Sequence, residues 1–108
     1  MDRLSHSEWG LMQICWRLER CTVRHVLKAD RHKPKRDYRT ILTFMSRMAN
    51  KGWLKVEKEG NTNYYTPAVP QDRAVRGEIR RFLNEVVGSE PKHLELLRKE
   101  LERKTKSG

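Results

Sequence analysis

Six side chains between positions 39 and 50 carry groups that can read the edges of DNA bases, and they share one face of a predicted helix. Arginine donates two hydrogen bonds to a guanine edge, asparagine pairs with an adenine edge, and a threonine methyl group contacts thymine. An ordinary exposed helix face mixes acids with lysines, but this face has no acid after Asp37. The pattern therefore favours a helix that lies in the major groove over a merely solvated one. We call this set the reading face: Arg39, Thr40, Thr43, Ser46, Arg47 and Asn50.

Basic residues are concentrated around the reading face. Between Arg17 and Lys51 there are 11 Lys and Arg against 3 Asp and Glu, a local excess of +8 within a net charge of +10. Lys33, Lys35 and Arg36 directly precede the helix, where they would lie near phosphates and add affinity without sequence information. Such an excess favours a polyanionic partner, with nucleic acid as the leading candidate. An acidic protein or an anionic membrane is the alternative.

The elements that must position this face follow from capping signals. A first helix begins after Ser5, which forms a capping box with Glu8, and runs to about Leu18 with apolar residues around most of its surface. A second, short helix begins after Thr22 and ends near Asp30. We expect the first helix to be buried on several sides as a scaffold.

The third helix carries the reading face. Asp37 is its expected N-cap, and Gly52 supplies a stop at its C-terminal end. Its apolar residues recur at intervals of three and four and form an inward stripe: Ile41, Phe44, Met45 and Met48.

Residues 53–66 change to the two-residue period of a β-hairpin, with a turn at residues 59–61. Lys58 and Asn61 at its tip are candidate DNA contacts. The acids Glu57 and Glu59 flank Lys58, so a tip that does not contact DNA is the alternative. Tyr64 and Tyr65 point to opposite faces of the strand, so at least one should lie in the core rather than stack on bases.

Two further helices are predicted, from about residue 71 to residue 87 and from Pro91 onward, with a frayed tail at residues 104–108. Their apolar stripes have no partner left within the chain, so we expect burial against a second copy; folding back onto the same chain is the alternative. The expected dimerisation residues are Val75, Ile79, Phe82, Leu83, Val86, Leu94, Leu97 and Leu101.

Three helices followed by a hairpin is the order of a winged helix-turn-helix, whose third helix enters the major groove. The predicted fold is therefore mainly α with a small β-hairpin. We expect a DNA-binding domain at residues 1–69 and a helical dimerisation region at residues 70–108. A homodimer would present two recognition helices to a palindromic operator.

The chain resembles the penicillinase-repressor family of bacterial winged-helix repressors (the BlaI, MecI and CopY group) from Leu4 to about Gly88. The resemblance covers the first helix, the start of the second helix, the recognition helix, the hairpin and the beginning of the C-terminal helices. Its residues in chain order are Leu4, Ser5, Glu8, Trp9, Met12, Ile14, Trp16, Thr22, Val23, Arg24, Tyr38, Arg39, Thr40, Ile41, Leu42, Thr43, Arg47, Lys51, Gly52, Trp53, Leu54, Lys58, Glu59, Gly60, Tyr64, Tyr65, Pro67, Ala74, Val75, Ile79 and Leu83.

The resemblance implies repression of a resistance or stress operon by occupancy of an operator, with dimerisation through the C-terminal helices. Two features of the family are missing. No cysteine follows Cys21, whereas the copper-sensing members carry paired Cys-x-Cys motifs near the C-terminus. The Asn-Phe bond at which a sensor protease cuts other members is also absent, since Leu83 separates Phe82 from Asn84. The resemblance therefore leaves two candidate partners that would release the operator, an unknown inducer and a sensor protease.

Enzymatic activity, a metal and a cofactor are not expected, because no Gly-rich phosphate loop and no zinc-binding Cys/His cluster occurs. Cys15 and Cys21 are expected to be reduced thiols in a cytoplasmic protein, with a bridge between them as the alternative. Neither a signal peptide nor an apolar membrane span is apparent. The histidines are scattered without partners at ligand spacing: His6, His25, His32 and His93.

Overall fold

A computed structural model of the chain describes residues 2–107. Its helices and strands, in chain order, are α1 (His6–Leu18), α2 (Val23–Ala29), α3 (Tyr38–Asn50), β1 (Leu54–Glu59), β2 (Thr62–Pro67), α4 (Gln71–Phe82), a π-helical turn (Leu83–Val87) and α5 (Pro91–Ser107). The prediction of a mainly helical fold with a β-hairpin is confirmed. The chain divides into two compact units between Gln71 and Asp72.

Side-chain caps start the first three helices as the sequence predicts. Ser5 Oγ accepts from the Glu8 N–H at 3.2 Å, and Glu8 Oε1 accepts from the Ser5 N–H at 2.7 Å. Thr22 and His25 make the same reciprocal pair at the start of α2, at 3.2 and 3.1 Å. Asp37 Oδ1 accepts from the Thr40 N–H at 2.9 Å at the start of α3. These bonds satisfy N–H groups that have no partner inside a helix.

The core of the first unit lies between α1, α2, α3 and the hairpin. Its fully buried side chains include Leu11 and Met12 of α1, Val26 of α2, and Ile41 and Met45 of α3. A continuous apolar stripe on each helix faces this core, as their periodicity predicts. Phe44 differs from the expectation because it is only half-buried at the edge of its stripe.

Three tryptophans pack together beside this core. The ring of Trp9 lies 5.8 Å from that of Trp16 and 6.2 Å from that of Trp53. Trp16 Nε1 donates to the Val69 carbonyl and Trp53 Nε1 donates to the Asp2 carbonyl, both at 2.8 Å. The two indole N–H groups thereby hold both ends of the first unit against its helices.

The hairpin pairs Leu54 with Pro67 at its open end and Glu59 with Thr62 at its tip, where Gly60 has a φ of 61°. Cys21 extends this sheet by one bridge to Tyr65, with backbone hydrogen bonds of 3.0 and 2.7 Å in opposite directions. Cys15 and Cys21 are buried free thiols, with their sulfurs 4.0 Å apart.

The second unit differs from the predicted pair of helices in two places. Helix α4 ends at Phe82 and is followed by a π-helical turn at residues 83–87, where the Gly88 N–H donates to the Leu83 carbonyl at 2.7 Å. The predicted frayed tail is wrong over residues 104–107, which continue α5; Gly108 lies outside the described residues. Thr105 Oγ1 donates to the Leu101 carbonyl at 2.9 Å within this last turn. Among the described residues, no helix is both long and apolar enough to span a membrane.

Candidate nucleic-acid interface

The packing of α3 decides which side chains face outward. Ile41, Met45 and Met48 are completely buried, so the opposite side of the helix faces solvent. Five of the six reading-face residues are exposed, and Thr40 is half-buried. Arg47 forms no ion pair with any residue from 2 to 107, so its guanidinium is available to a partner.

Thr43 uses its hydroxyl hydrogen within the helix. Its Oγ1 donates to the Arg39 carbonyl at 3.0 Å, a bond common for threonine inside helices. The exposed methyl group and the oxygen lone pairs are what this residue offers a partner. A contact with a thymine methyl group therefore fits its geometry better than donation to a base.

Asp37 is the acid nearest to the reading face, and its charge is engaged at the helix start. A backbone hydrogen bond from Thr40 lowers its pKa, with smaller contributions from the Thr40 side chain and the charge of Arg39. The carboxylate thus stays ionised at the positive end of the helix dipole. Capping of α3 explains why an acid stands at position 37, and the reading face that follows it stays cationic.

Arg36 does not occupy the exposed position that the sequence suggested. Its Nε and Nη2 donate to the two carboxylate oxygens of Asp30 at 2.9 and 2.8 Å, and only 12% of the Arg36 side chain is exposed. The same bonds outweigh burial and lower the pKa of Asp30. This geometry speaks against a phosphate contact by Arg36 and indicates that it fixes the loop before α3. Lys33 and Lys35 are exposed.

The hairpin tip carries more positive charge than its own sequence indicates. Arg20 pairs with Glu59 at 2.7 Å and its guanidinium lies 3.9 Å from the centre of the Tyr64 ring. Lys58 and Asn61 are exposed at the tip. Arg20 thereby offsets one of the two acids that flank Lys58.

Tyr65 is the hairpin tyrosine that lies in the core, being only 2% exposed. Burial raises the pKa of its hydroxyl, an effect that hydrogen bonds with Asn63 and Ser46 only partly offset. The prediction that at least one of the two tyrosines is a core residue is confirmed.

Arg24 is a candidate contact that sequence reasoning missed. It is exposed on α2, and its guanidinium lies 5.2 Å from the centre of the Tyr38 ring at the start of α3. The sequence shows a basic residue at position 24, but its proximity to α3 and to the hairpin is set by tertiary packing.

The second unit exposes much of its predicted dimerisation set. Phe82 is 47% exposed and Ile79 is 53% exposed, which is unusual for side chains of this size. Leu83 and Leu97 are half-buried, and Leu96 is a further exposed leucine that the spacing did not single out. The other exposed members are Val75, Val86, Leu94 and Leu101.

Comparison with known proteins places these features in a family. The profile described as penicillinase repressor matches residues 4–106. A penicillinase repressor of Staphylococcus aureus is 28% identical over 94 residues, which cover 86% of this chain and 74% of that protein. An uncharacterized 16.5 kDa protein of Latilactobacillus sakei is 35% identical over 89 residues, or 81% of this chain, and the matched part spans 60% of that protein's length.

A solved structure agrees with the fold of about two thirds of this chain. The solution structure of the DNA binding domain of the repressor BlaI superposes with a TM-score of 0.57 at 28% identity. It covers 64% of this chain and 84% of that domain.

Proposed function

Because the chain belongs to the penicillinase repressor family, we propose that it is a cytoplasmic transcriptional repressor that binds a palindromic operator in duplex DNA as a homodimer. The observation that carries this proposal is the division of α3 into two faces. Its buried side anchors it through Ile41, Met45 and Met48, and its exposed side offers guanidinium, hydroxyl, methyl and amide groups with no acid after Asp37. Those groups match the donors and acceptors of base edges.

Dimerisation would supply the affinity for DNA that a single small domain lacks. Two copies joined through the exposed apolar side chains of α4 and α5 would present two α3 helices to half-sites about one helical turn apart. Burial of Phe82 and Ile79 against a second copy removes apolar surface from water, which stabilises the association. A two-fold arrangement of this kind uses the same patch on both copies.

A titration of DNA against the protein at several salt concentrations tests the proposal. For duplex DNA, log affinity should fall linearly with log salt, by roughly 0.9 for each phosphate contacted. The competing function, an interaction module that binds an acidic protein through the same face, predicts no such affinity for duplexes. Absence of binding in dilute buffer would therefore exclude the repressor proposal.

Selection from a random pool of duplexes identifies the operator. We expect the retained fragments to share two inverted half-sites at a constant spacing, because a two-fold dimer imposes its symmetry on the DNA. Retention of a single, unpaired half-site would contradict the dimeric part of the proposal while leaving DNA binding intact.

A further inference from the structure

The chain has two cysteines, and packing brings them into contact in the core of the first unit. Cys15 lies near the C-terminal end of α1, and Cys21 precedes α2, where it pairs with Tyr65 of the hairpin. Their sulfurs are 4.0 Å apart, and both side chains are completely buried. Neither thiol belongs to the proposed DNA interface, so base recognition does not account for their contact.

The distance between the two sulfurs is short enough for a covalent bond to form within the folded chain. A disulfide holds its sulfurs about 2 Å apart, so the two atoms must approach each other by about 2 Å. Rotation of the two side chains supplies part of that approach. Because protein interiors are packed as densely as organic crystals, the rest is transmitted to the backbone of Cys15 and Cys21.

Cys21 lies directly behind the wall of a cleft between α3 and the hairpin. The cleft measures about 310 Å³ and is lined by Thr22, the residue that follows Cys21, and by Tyr65, its bridging partner. Hydrogen peroxide enters such a space easily, since a water molecule takes up only about 30 Å³. A hydrogen bond with Cys15 lowers the pKa of the Cys21 thiol against the effect of burial, and the thiolate is the form that attacks peroxides. The same bond, together with burial, raises the pKa of Cys15.

We propose that Cys15 and Cys21 form a peroxide-sensitive thiol pair, whose oxidation to a disulfide lowers the affinity of the protein for its operator. The Cys21 thiolate attacks one oxygen of hydrogen peroxide, the O–O bond breaks, and the released hydroxide takes up a proton and leaves as water. The Cys15 thiol then attacks the resulting sulfenic acid at sulfur, and its proton leaves with the sulfenic hydroxyl as a second water. The two sulfurs are oxidised and the peroxide is reduced. The effect on DNA rests on the proposed function, whereas the thiol chemistry does not.

The path from the thiol pair to the reading face passes through Tyr65. Its backbone exchanges hydrogen bonds of 3.0 and 2.7 Å with Cys21, and its buried hydroxyl is hydrogen-bonded to the Ser46 side chain on α3. Cys21 also directly precedes Thr22, the N-cap of α2. Movement of Cys21 toward Cys15 therefore displaces both partners, because the core has little free volume to absorb it. Oxidation should shift Ser46 and the start of α2 away from the arrangement in which the reduced protein binds DNA.

Mass spectrometry of the full chain after treatment with hydrogen peroxide tests the thiol chemistry. We expect the loss of two hydrogen atoms per chain. Trypsin cuts between the two cysteines, so the disulfide should join a peptide of residues 4–17 to one of residues 21–24. The oxidised protein should run as a single chain on a non-reducing gel. In Cys15→Ala, dimedone should trap a sulfenic acid at Cys21, because no second thiol is left to condense with it.

Titrations of the selected operator with reduced and oxidised protein test the effect on DNA. Oxidation should lower the affinity roughly tenfold, within the usual range of coupling between two sites. Dithiothreitol should restore the affinity, which separates the disulfide from methionine oxidation, because methionine sulfoxide needs its own reductases. The matched control is the double variant Cys15→Ala with Cys21→Ala, whose affinity should not respond to peroxide. Circular dichroism checks that this variant is folded.

The wild type alone provides a second measurement. Coupling is reciprocal, so saturating operator should make the disulfide easier to reduce by the same factor. A tenfold effect corresponds to a rise of about 30 mV in the midpoint potential of the thiol pair. Titration in dithiothreitol redox buffers, with and without operator, measures this shift without any substitution in the core.

Several results would overturn the proposal. Absence of the linked peptides after peroxide treatment, or a disulfide that joins two copies of the chain, would exclude the thiol pair. A disulfide that forms within the chain but leaves operator affinity and midpoint potential unchanged would exclude the switch and leave the proposed function standing. A reduced wild type that binds no duplex would refute the proposed function and the switch with it, while the peptide map would still decide the thiol chemistry.

Discussion

Lys51 Nζ lies 2.6 Å from Glu8 Oε1 and joins the C-terminal end of α3 to the first turn of α1. The same carboxylate oxygen accepts from the Ser5 N–H, and Lys51 also donates to the Arg3 carbonyl at 3.1 Å. Only 2% of the Glu8 side chain is exposed. One buried carboxylate therefore both caps the scaffold helix and holds the helix that bears the reading face.

Substitution of Lys51 by methionine should destabilise the protein by about 3 kcal/mol, because it leaves the buried Glu8 carboxylate without its ionic partner. Glu8→Gln should cost less, about 1–2 kcal/mol, because the amide can retain a bond to Ser5 and the Lys51 side chain is 25% exposed to water. Urea unfolding measures both values. A smaller cost for Lys51→Met than for Glu8→Gln would contradict this account.

Low pH should lower the unfolding free energy, because the carboxylates of Glu8 and Asp30 become protonated. Burial raises the pKa of Glu8, but its bonds with Lys51 and Ser5 outweigh burial and leave that pKa below its ordinary value. The unfolded chain then binds protons more readily, so the stabilisation is complete above the ordinary carboxyl pKa of about 4 and is lost as pH falls through the folded value. Unfolding free energies measured from neutral pH downward should decline less steeply in Glu8→Gln than in the wild type.

Two neighbouring cations in the loop before α3 should have different roles. Arg36 should stabilise the fold through its pair with Asp30, whereas Lys35 should contribute to DNA affinity. Arg36→Gln should lower the unfolding free energy by about 3 kcal/mol, since it leaves a nearly buried carboxylate unpaired. Lys35→Gln removes the neighbouring exposed charge and should change stability by less than about 0.5 kcal/mol. On DNA, Lys35→Gln should reduce the salt slope by about 0.9. An undiminished stability of Arg36→Gln would show that the pair is dispensable.

Arg47→Ala should weaken binding to the selected operator by about 1–3 kcal/mol and relax the preference at one base pair of each half-site. The reason is that Arg47 is exposed at the centre of the acid-free face and has no ion pair within the described residues. Parallel titrations with the operator and a mixed-sequence duplex distinguish base from phosphate contact. An equal loss on both duplexes would assign Arg47 to the backbone.

If the proposed dimer forms through α4 and α5, Phe82→Asp and Leu97→Glu should each make the protein monomeric, because a buried charge without a partner opposes association. Ser89→Asp is a suitable control, since it adds the same charge at an exposed position outside the apolar side chains. Sedimentation equilibrium gives the oligomeric state directly. If both variants remain dimeric, the interface lies elsewhere.

Local features of this protein follow from sequence because their partners are close along the chain. The Ser5, Thr22 and Asp37 caps each join residues three apart, and the buried stripe of α3 depends only on helical periodicity. The hairpin turn at Gly60 requires a positive φ that glycine adopts readily. Side-chain and backbone chemistry within a few residues is enough to specify such elements.

Tertiary structure alone decided which cations are available to a partner. In sequence, Lys51 and Arg20 cannot be distinguished from Arg24 and Arg47 by the availability of their charges. In the structure, Lys51 pairs with an acid 43 residues away and Arg20 with one 39 residues away. Arg24 instead comes to lie beside the hairpin. Ion pairs form wherever packing brings opposite charges within a few ångströms, and that distance depends on how the helices assemble rather than on the residue types.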